Sequence, residues 1–242
     1  MSLATKIAPY PWRLTSKAWV EALRASLGRM GVESMALGQL HWSTAGYAPW
    51  QERATWDGLV ASYDAGLIRA AGVSNYGPKQ LAKVHKYLAR AGVPLATAQT
   101  QFSLLSTGAA PAAAVAAAAD LGVVTLAYSP LALGMLSGAY GAGVLPAGPR
   151  ARLFASVLPT AGGLLAELDA VAASSRLTRS QAALAWCVAK GTVPLVGARK
   201  RSHVASAADA ASARLSPGAV AALDAAAAKV ARPTLQNVFA TG

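Results

Sequence analysis

The 242-residue sequence predicts an α/β fold built on a parallel sheet. Two observations support this class. Short apolar runs alternate along the chain with amphipathic helical patterns, an order that is typical of β–α–β units. The runs are apolar at successive positions, as expected of strands that are covered on both faces. The predicted strands are Leu3–Ala8, Met35–Leu40, Ile68–Val73, Leu95–Gln101, Val123–Tyr128 and Val193–Val196.

Helix start and stop signals separate these strands. Ser, Thr and Pro stand at the expected starts and Gly at the expected ends, as helix capping favours. The first predicted helix should bury Val20, Leu23, Leu27 and Met30 on one face. The start signals are Thr15, Pro49, Pro78, Pro111, the Thr178–Gln181 capping box and Ser216-Pro217, and the stop signals are Gly31, Gly66, Gly92 and Gly122.

Two closures fit this order of elements: an open doubly wound sheet and a (β/α)₈ TIM barrel. The open sheet is disfavoured because no Gly-rich dinucleotide fingerprint follows the first strand. A complete barrel needs eight strands, and the sequence provides six candidates. The residues alone leave this difference of two strands unexplained, and they favour one domain over residues 1–242. Residues 131–163 are rich in Gly and Pro and are predicted to form a functional loop without a strand.

The formal net charge of +12 indicates an anionic ligand or partner. Nucleic acid is disfavoured as that partner, because the basic residues are dispersed over separate predicted helices and no zinc-finger or RNA-recognition signature is present. No apolar run reaches the ~18 residues of a membrane span. Residues 1–15 also lack the order of a secretory signal, so we expect a soluble protein.

Cysteine and histidine are scarce. The single cysteine, Cys187, cannot form an internal disulfide, which fits a reducing compartment. It lies in a helix-like stretch, where a free cysteine is usually a small buried residue, and a reactive thiol is the less favoured interpretation. The three histidines are isolated from one another, so no metal-ligand spacing exists and no metal site is expected.

Polar or aromatic residues stand at or just after the carboxyl end of each predicted strand. Because enzymes with this fold carry their chemistry at the carboxyl ends of the strands, we expect these residues to gather at one opening. Taken singly, each has an ordinary structural explanation: a buried histidine, a turn or a solvated helix start. The series consists of Lys6, His41, Trp42, Ser74, Asn75, Gln99, Tyr128, Ser129 and the cluster Arg199-Lys200-Arg201.

The segments "ATK", "QLHW", "GVSNYG", "AQTQFSL", "AYSPLALGMLSG" and "VPLVGARK" occur in the order and spacing of the aldo-keto reductase family. Over about residues 3–230 the sequence resembles that family, and "APYPWRLT" with "QLHW" resembles its plastid-type plant and algal branch. The resemblance implies a (β/α)₈ TIM barrel that reduces small aldehydes or ketones with NADPH. It also implies that the single barrel domain over residues 1–242 is incomplete at its N-terminus, with about six of the eight β/α units. It also suggests a plastid location, with the cytoplasm as the alternative.

The resemblance implies a role for each matching residue. Lys6 matches the family's catalytic lysine, and His41 matches the histidine that orients and polarises the substrate carbonyl. Trp42 is expected to line the substrate pocket. The residues matching cofactor-binding positions are Ser74, Asn75 and Gln99 for the nicotinamide carboxamide, Tyr128 for stacking under its ring, Ser129 and Leu131 along the pyrophosphate, and Arg199 and Lys200 for the 2′-phosphate.

The resemblance also indicates departures from the family. Its aspartate and its tyrosine acid precede the strand that contains Lys6, in a segment with two strands that is not encoded here. We therefore expect impaired catalysis. The alternatives are a truncated gene model or isoform, and an inactive barrel fragment that binds a cofactor or a protein partner completing the open barrel. Phe102 and Ala139 also replace residues that are common in the family. The changes at Ser206 and Ala207 replace residues that contact adenine in the family, which predicts weaker or altered adenosine binding.

Overall fold

A computed structural model describes residues 2–141 and 143–231. All six predicted strands are confirmed, and they are hydrogen-bonded in the sequential order β1 to β6. The pairings of β1 with β2, β2 with β3, and β3 with β4 are parallel, which confirms the predicted α/β class. The strands are β1 Ala4–Ile7, β2 Met35–Leu40, β3 Ile68–Ser74, β4 Leu95–Gln101, β5 Val124–Tyr128 and β6 Thr192–Pro194.

Helices follow the strands as the capping signals predicted. The Thr178–Gln181 capping box and the Ser216 cap are both formed. The helices are α1 Ser16–Met30, α2 Pro49–Asp64, α3 Pro78–Arg90, α4 Ala109–Asp120, α5 Arg150–Val157, α6 Gly162–Ser174, α7 Arg179–Ala189, α8 Arg201–Ser212 and α9 Pro217–Ala228, with 3₁₀ turns at Ala132–Ser137 and Leu158–Thr160.

The first helix begins and ends where the sequence predicted, but its buried face is different. The Thr15 hydroxyl accepts a hydrogen bond from the Ala18 amide, and Gly31 ends the helix with φ 65°. Trp19, Leu23 and Leu27 are buried, whereas Val20 is only partly buried and Met30 is 39% exposed. The prediction for Val20 and Met30 was wrong because the bulky Trp19 is buried, and the helix face that contains Trp19, Leu23 and Leu27 therefore packs against the core.

The described residues divide into two compact units. The first contains residues 2–100 and 113–125, and the second contains residues 101–112, 126–141 and 143–231. The core of the first unit is formed by apolar side chains from β1–β4 and α1–α3, including Leu23, Leu40, Val73 and Leu88. Large buried side chains of the second unit are Met135, Phe154, Leu164 and Trp186.

The segment of residues 131–163 is more ordered than the predicted loop. It contains α5 and two 3₁₀ turns, and an isolated bridge joins Gly141 to Val144. The eight-residue α5 was missed because flanking Gly and Pro residues hide its short periodicity. Ala132 and Leu133 adopt positive φ angles of 48° and 59°, which non-glycine residues rarely do.

Within the described ranges, no unbroken helix is both long and apolar enough to cross a membrane. A bent pair, Arg150–Thr160 with Gly162–Ser174, meets the length and composition requirement together.

Candidate active site

Lys6 and Gln99 meet although three strand pairings separate them. The Lys6 ammonium on β1 donates a hydrogen bond of 3.1 Å to the Gln99 side-chain oxygen on β4. Strands in a sheet lie about 4.8 Å apart, so β1 and β4 would be about 14 Å apart in a flat sheet. The contact therefore requires the four strands of the first unit to curve toward a common side.

Lys6 lies in a partly dry environment. Burial lowers the pKa of its ammonium group from the ordinary value. Its hydrogen-bond partner among the described residues is an amide, which cannot offset that loss of hydration as a carboxylate would. The charge is therefore held at some cost in stability at neutral pH, which is characteristic of a functional group.

His41 follows β2 and is held at both ends of its backbone. Its amide donates to the Ile7 carbonyl at 3.0 Å, and its carbonyl accepts from the Asn75 side-chain amide at 3.1 Å. Burial lowers the pKa of the imidazole, and the nearby charge of Lys6 lowers it further. His41 is consequently a neutral imidazole at neutral pH, with one N–H that can be donated to a ligand.

Trp42 has a defined position beside His41. Its ring lies 4.9 Å from the imidazole centroid, and its indole N–H donates to the Tyr47 hydroxyl at 2.7 Å. This pair holds the end of the loop after β2. A role of Trp42 in lining a substrate pocket stays a prediction.

Ser74 and Asn75 end β3, and both are buried. Asn75 has φ 62° and donates its backbone N–H to the Gln99 carbonyl at 2.9 Å. Asparagine tolerates this left-handed conformation better than most residues. The structural interpretation of Asn75 as a turn residue is therefore confirmed, and the same turn aligns it with His41 and Gln99.

A cavity of about 270 Å³ in the first unit is lined in part by Lys6 and His41. Tyr10, Arg13 and Arg29 also line it, and none of its lining residues is a carboxylate. The Arg13 guanidinium donates to the Ala8 carbonyl at 2.6 Å and lies 4.8 Å from the Tyr10 ring centroid. Burial lowers the pKa of Arg13, and the charge of Arg29 adds to this effect. The cavity is suited to an anionic or strongly polar group.

Arg13 and Arg29 were not identified from the sequence. The only signal was the excess of basic residues, and dispersed charges gave no reason to place two arginines beside Lys6. Neither residue lies at the end of a strand: Arg13 is in the loop after β1, and Arg29 is on α1.

The second unit holds the other predicted cofactor-binding residues. Tyr128 ends β5, and its carbonyl accepts from the Phe102 amide at 3.3 Å. Burial raises the pKa of its phenol, so it stays neutral at physiological pH. Ser129 has φ 52°, which turns the chain sharply after the strand toward the segment containing Leu131.

A cavity of about 420 Å³ in the second unit includes Leu131 and Arg199 in its lining. Arg150, which the sequence reasoning missed, lines the same cavity, and so do Ser202 and His203 from the first turn of α8. No carboxylate is among the lining residues. Two guanidinium groups, a hydroxyl and a helix N-terminus form a donor set that fits a phosphate group.

The other residues singled out from the sequence near this cavity differ in whether they line it. Ser206 and Ala207 line the cavity, at the positions where the resemblance placed them. Lys200 is not among the lining residues; it precedes α8 as the N-cap, without a capping bond from its side chain. Arg199, Lys200 and Arg201 are all exposed at the start of α8, and a role of Lys200 in binding a phosphate stays a prediction.

The structure also describes the single cysteine and the side chains that could bind a metal. Cys187 is fully buried, and burial raises the pKa of its thiol to about 12, so the prediction of a packing role is confirmed. In residues 2–141 and 143–231, no three His, Cys, Asp or Glu side chains lie close enough together to hold a metal ion.

The sequence was compared with known families and curated proteins. The model of the aldo/keto reductase family matches residues 1–228. The chloroplastic pyridoxal reductase of Arabidopsis thaliana is 48% identical over 239 residues, which cover 99% of this chain and 66% of that protein. The 6-dehydroglucose reductase of Novosphingobium aromaticivorans is 30% identical over 215 residues, which cover 87% of this chain and 63% of that protein.

Solved structures give the same result for the fold. The thermostable aldo-keto reductase Tm1743, crystallised with the inhibitor epalrestat, superposes with a TM-score of 0.72 at 20% identity, over 93% of this chain and 71% of that one. The chain spans about two thirds of the length of the curated relatives described above. With a family model matching nearly its whole length and a plant chloroplastic relative at 48% identity, the chain belongs to the aldo/keto reductase family, and its resemblance to the plastid-type plant branch is confirmed.

Proposed function

We propose that this chain binds NADPH and takes part in hydride transfer to the carbonyl carbon of a small aldehyde or ketone. The observation that carries the proposal is one set of contacts in the first unit. Lys6 bonds to Gln99, Gln99 bonds to Asn75 through the backbone, and Asn75 bonds to His41. These four residues match the positions at which the family handles the carbonyl and the nicotinamide.

Each residue has a task that suits its environment. The neutral imidazole of His41 donates its N–H to the substrate oxygen, where negative charge develops during reduction. The Lys6 ammonium adds a positive charge beside that oxygen. Ser74, Asn75 and Gln99 hold the nicotinamide carboxamide, which selects the ring face that is presented to the substrate. The bound cofactor supplies the hydride.

The second unit contains the other residues that match cofactor-binding positions of the family. By that match, Tyr128 is proposed to stack against a nicotinamide ring as a neutral phenol, and Ser129 and Leu131 are proposed to lie along a pyrophosphate. Arg199 pairs with the 2′-phosphate, and Arg150 joins it because both line the same cavity. Lys200 contributes through its charge at the start of α8. This assignment favours NADPH over NADH.

We propose that protonation of the reduced oxygen is slow when these 242 residues act alone. Lys6 bonds to an amide, and the tyrosine and aspartate that the family uses have no match among these residues. A positioned acid contributes about 10²- to 10⁴-fold to a rate, so we expect turnover by these residues alone to be lower by that factor than with the full set. Tyr10 is the phenol that shares the cavity with Lys6.

Binding and turnover can be measured separately. Titration with NADPH, followed by its fluorescence, is expected to show saturable binding and a raised melting temperature, with weaker binding of NADH. Oxidation of NADPH in the presence of pyridoxal is expected to stay near background. Absence of NADPH binding would refute the proposal. Brisk turnover would refute only the impaired step, and its loss in Tyr10→Phe would assign the proton to Tyr10.

A second candidate function is favoured by the edge of the sheet. β1 is the first strand in the order of the sheet. The carbonyls of Leu3 and Ile7 accept hydrogen bonds from backbone amides of β2 and of His41 just after it. Because backbone groups of successive residues in a strand point to opposite sides, the backbone N–H and C=O of Lys6 point away from β2. Arg13 and Arg29 lie in the cavity beside this strand. An extended acidic segment of a protein partner would complete the sheet and neutralise these cations.

The two functions predict different behaviour. If an acidic partner strand is required, the isolated chain should associate with itself or aggregate, and the amides of β1 should exchange rapidly with solvent until the partner is added. A clean monomer with a sharp thermal transition, slow exchange in β1 and tight NADPH binding would favour the reductase alone.

The substrate and the compartment are proposed from the relatives. The 48% identity to a chloroplastic pyridoxal reductase makes pyridoxal the first aldehyde to test, and a plastid the first compartment to examine. A fluorescent fusion made from the complete transcript should accumulate in plastids; a cytoplasmic signal would contradict this assignment.

A further inference from the structure

A buried carboxylate lies beneath the loop that carries His41. Glu52 in the first turn of α2 is only 5% exposed. One of its oxygens accepts from the Ser43 hydroxyl at 2.9 Å, and the other accepts from the Thr44 amide at 2.6 Å and the Thr44 hydroxyl at 2.8 Å. Ser43 and Thr44 directly follow His41 and Trp42, so this carboxylate anchors the loop after β2.

The same carboxylate also lies near the loop after β3. Tyr76, which directly follows Asn75, is 4% exposed, and its phenol is close enough to Glu52 to feel the carboxylate's charge. Burial, together with the charge of Glu52, raises the pKa of Tyr76 well above the ordinary value, so its hydroxyl remains a neutral donor. The Trp56 indole N–H donates to the Tyr76 oxygen at 3.3 Å and fixes the ring.

The two loops are therefore joined at two levels. At the surface of the site, the Asn75 side chain donates to the His41 carbonyl at 3.1 Å. Beneath it, Glu52 accepts hydrogen bonds from Ser43 and Thr44 of the loop after β2 and lies near the Tyr76 phenol of the loop after β3. Motion of His41 relative to Asn75 would require breaking the upper contact and at least one bond to the carboxylate.

A carboxylate suits this position well. It offers about four acceptor sites and no donor, and the groups that contact it are the Thr44 amide, which can only donate, and hydroxyls that donate to it here. Glutamine would offer one oxygen in place of two and would require a neighbouring hydroxyl to turn and accept from its N–H₂ group, and an apolar residue would leave the Thr44 amide without its acceptor. The N-terminal turn of α2 adds a favourable dipole for negative charge.

We propose that Glu52 is a positioning residue that sets the distance between His41 and Asn75, and so between the substrate carbonyl and the nicotinamide, without touching either ligand. This inference rests on the proposed function for its consequence in catalysis. The structural part, control of His41 by Glu52, stands without a ligand.

Histidine NMR tests that structural part directly, because the chain has only three histidines. In Glu52→Gln, the loop should loosen and His41 should become more hydrated, so that its pKa rises toward the ordinary value while His85 and His203 titrate as before. Lys6 is the charged group facing His41, and it is unchanged in this variant. Glu33→Gln removes the same charge at an exposed position and serves as the control. It should leave the pKa values of all three histidines unchanged.

A second variant keeps the test decisive if Glu52→Gln does not fold. Tyr76→Phe removes one donor and should shift the His41 resonances in the same direction by a smaller amount. Glu52→Asp should not restore the wild-type signal, because the shorter side chain cannot reach both loops. Folded Glu52→Gln or Tyr76→Phe protein with unchanged His41 resonances and pKa would overturn the inference.

The catalytic consequence has its own readout. Where turnover is measurable, Glu52→Gln should lower kcat by about 10²-fold, the effect of a misplacement near 1 Å, with a smaller change in KM. Absence of NADPH binding in the wild type would refute the proposed function and leave the NMR result intact.

Discussion

Lys6 on the first strand donates a hydrogen bond to Gln99 on the fourth, across the width of two intervening strands. This single contact shows that the sheet of the first unit is curved and that its strand ends share one space. His41 and Asn75 lie at the ends of the two strands between them.

The first prediction concerns the charge felt by His41. Burial is the larger cause of its lowered pKa and Lys6 the smaller one. In Lys6→Met, the His41 pKa should therefore rise but remain below the ordinary value of about 6.5. Titration of the imidazole NMR signals measures this. A return to the ordinary value would show that burial contributes nothing, and no change would show that Lys6 is too far away.

The second prediction concerns the cavity with Arg150 and Arg199. Replacement of Arg199 by Gln should weaken NADPH binding by about 10- to 100-fold, the typical loss for a hydrogen bond to a charged group, and should leave NADH binding unchanged. Fluorescence titration at fixed salt measures both constants. Arg24→Gln, an exposed site on α1, is the matched control. Equal losses for NADPH and NADH would contradict the assignment to the 2′-phosphate.

The third prediction concerns the contact between α1 and α2. A Cβ atom at Gly58 would come within 2.4 Å of the Trp19 Cβ, whereas one at Gly28 would meet no atom within 4 Å. Gly58→Ala should therefore lower the free energy of unfolding by about 1–3 kcal/mol. Gly28→Ala should raise it by about 0.5–1 kcal/mol through helix propensity. Urea unfolding measures both, and a stabilised Gly58→Ala would contradict the described packing.

The fourth prediction concerns Cys187. Because its thiol is fully buried and its pKa is raised to about 12, a thiol reagent should label it only when the chain unfolds. Labelling in native buffer at pH 8, compared with labelling in denaturant, measures this. Rapid modification of the folded protein would contradict the packing role.

The sequence predicted the strands and most helix ends well, because buried strands are apolar runs and helix caps have strong local preferences. Thr15, Gly31 and the Thr178–Gln181 box are examples. It also placed Lys6, His41, Asn75 and Gln99 at strand ends. It could not show which of them touch, since the curvature that joins Lys6 to Gln99 is a property of the assembled strands.

The residues that were missed lie outside the strand ends. Glu52 has no local signal, because a glutamate in the first turn of a helix is common at exposed positions as well as buried ones. Arg13, Arg29 and Arg150 reach their cavities through long side chains from a loop and from two helices. Only the three-dimensional arrangement reveals that their charges face cavities without carboxylates among the lining residues.

Titration of histidine-labelled protein with NADPH decides whether the mouth of the curved sheet receives a reduced nicotinamide beside His41. We expect the His41 resonances to shift with the same dissociation constant as the cofactor fluorescence, while His85 on α3 stays unchanged. Saturable binding that leaves His41 unperturbed, or no binding at all, would refute the proposed nicotinamide site.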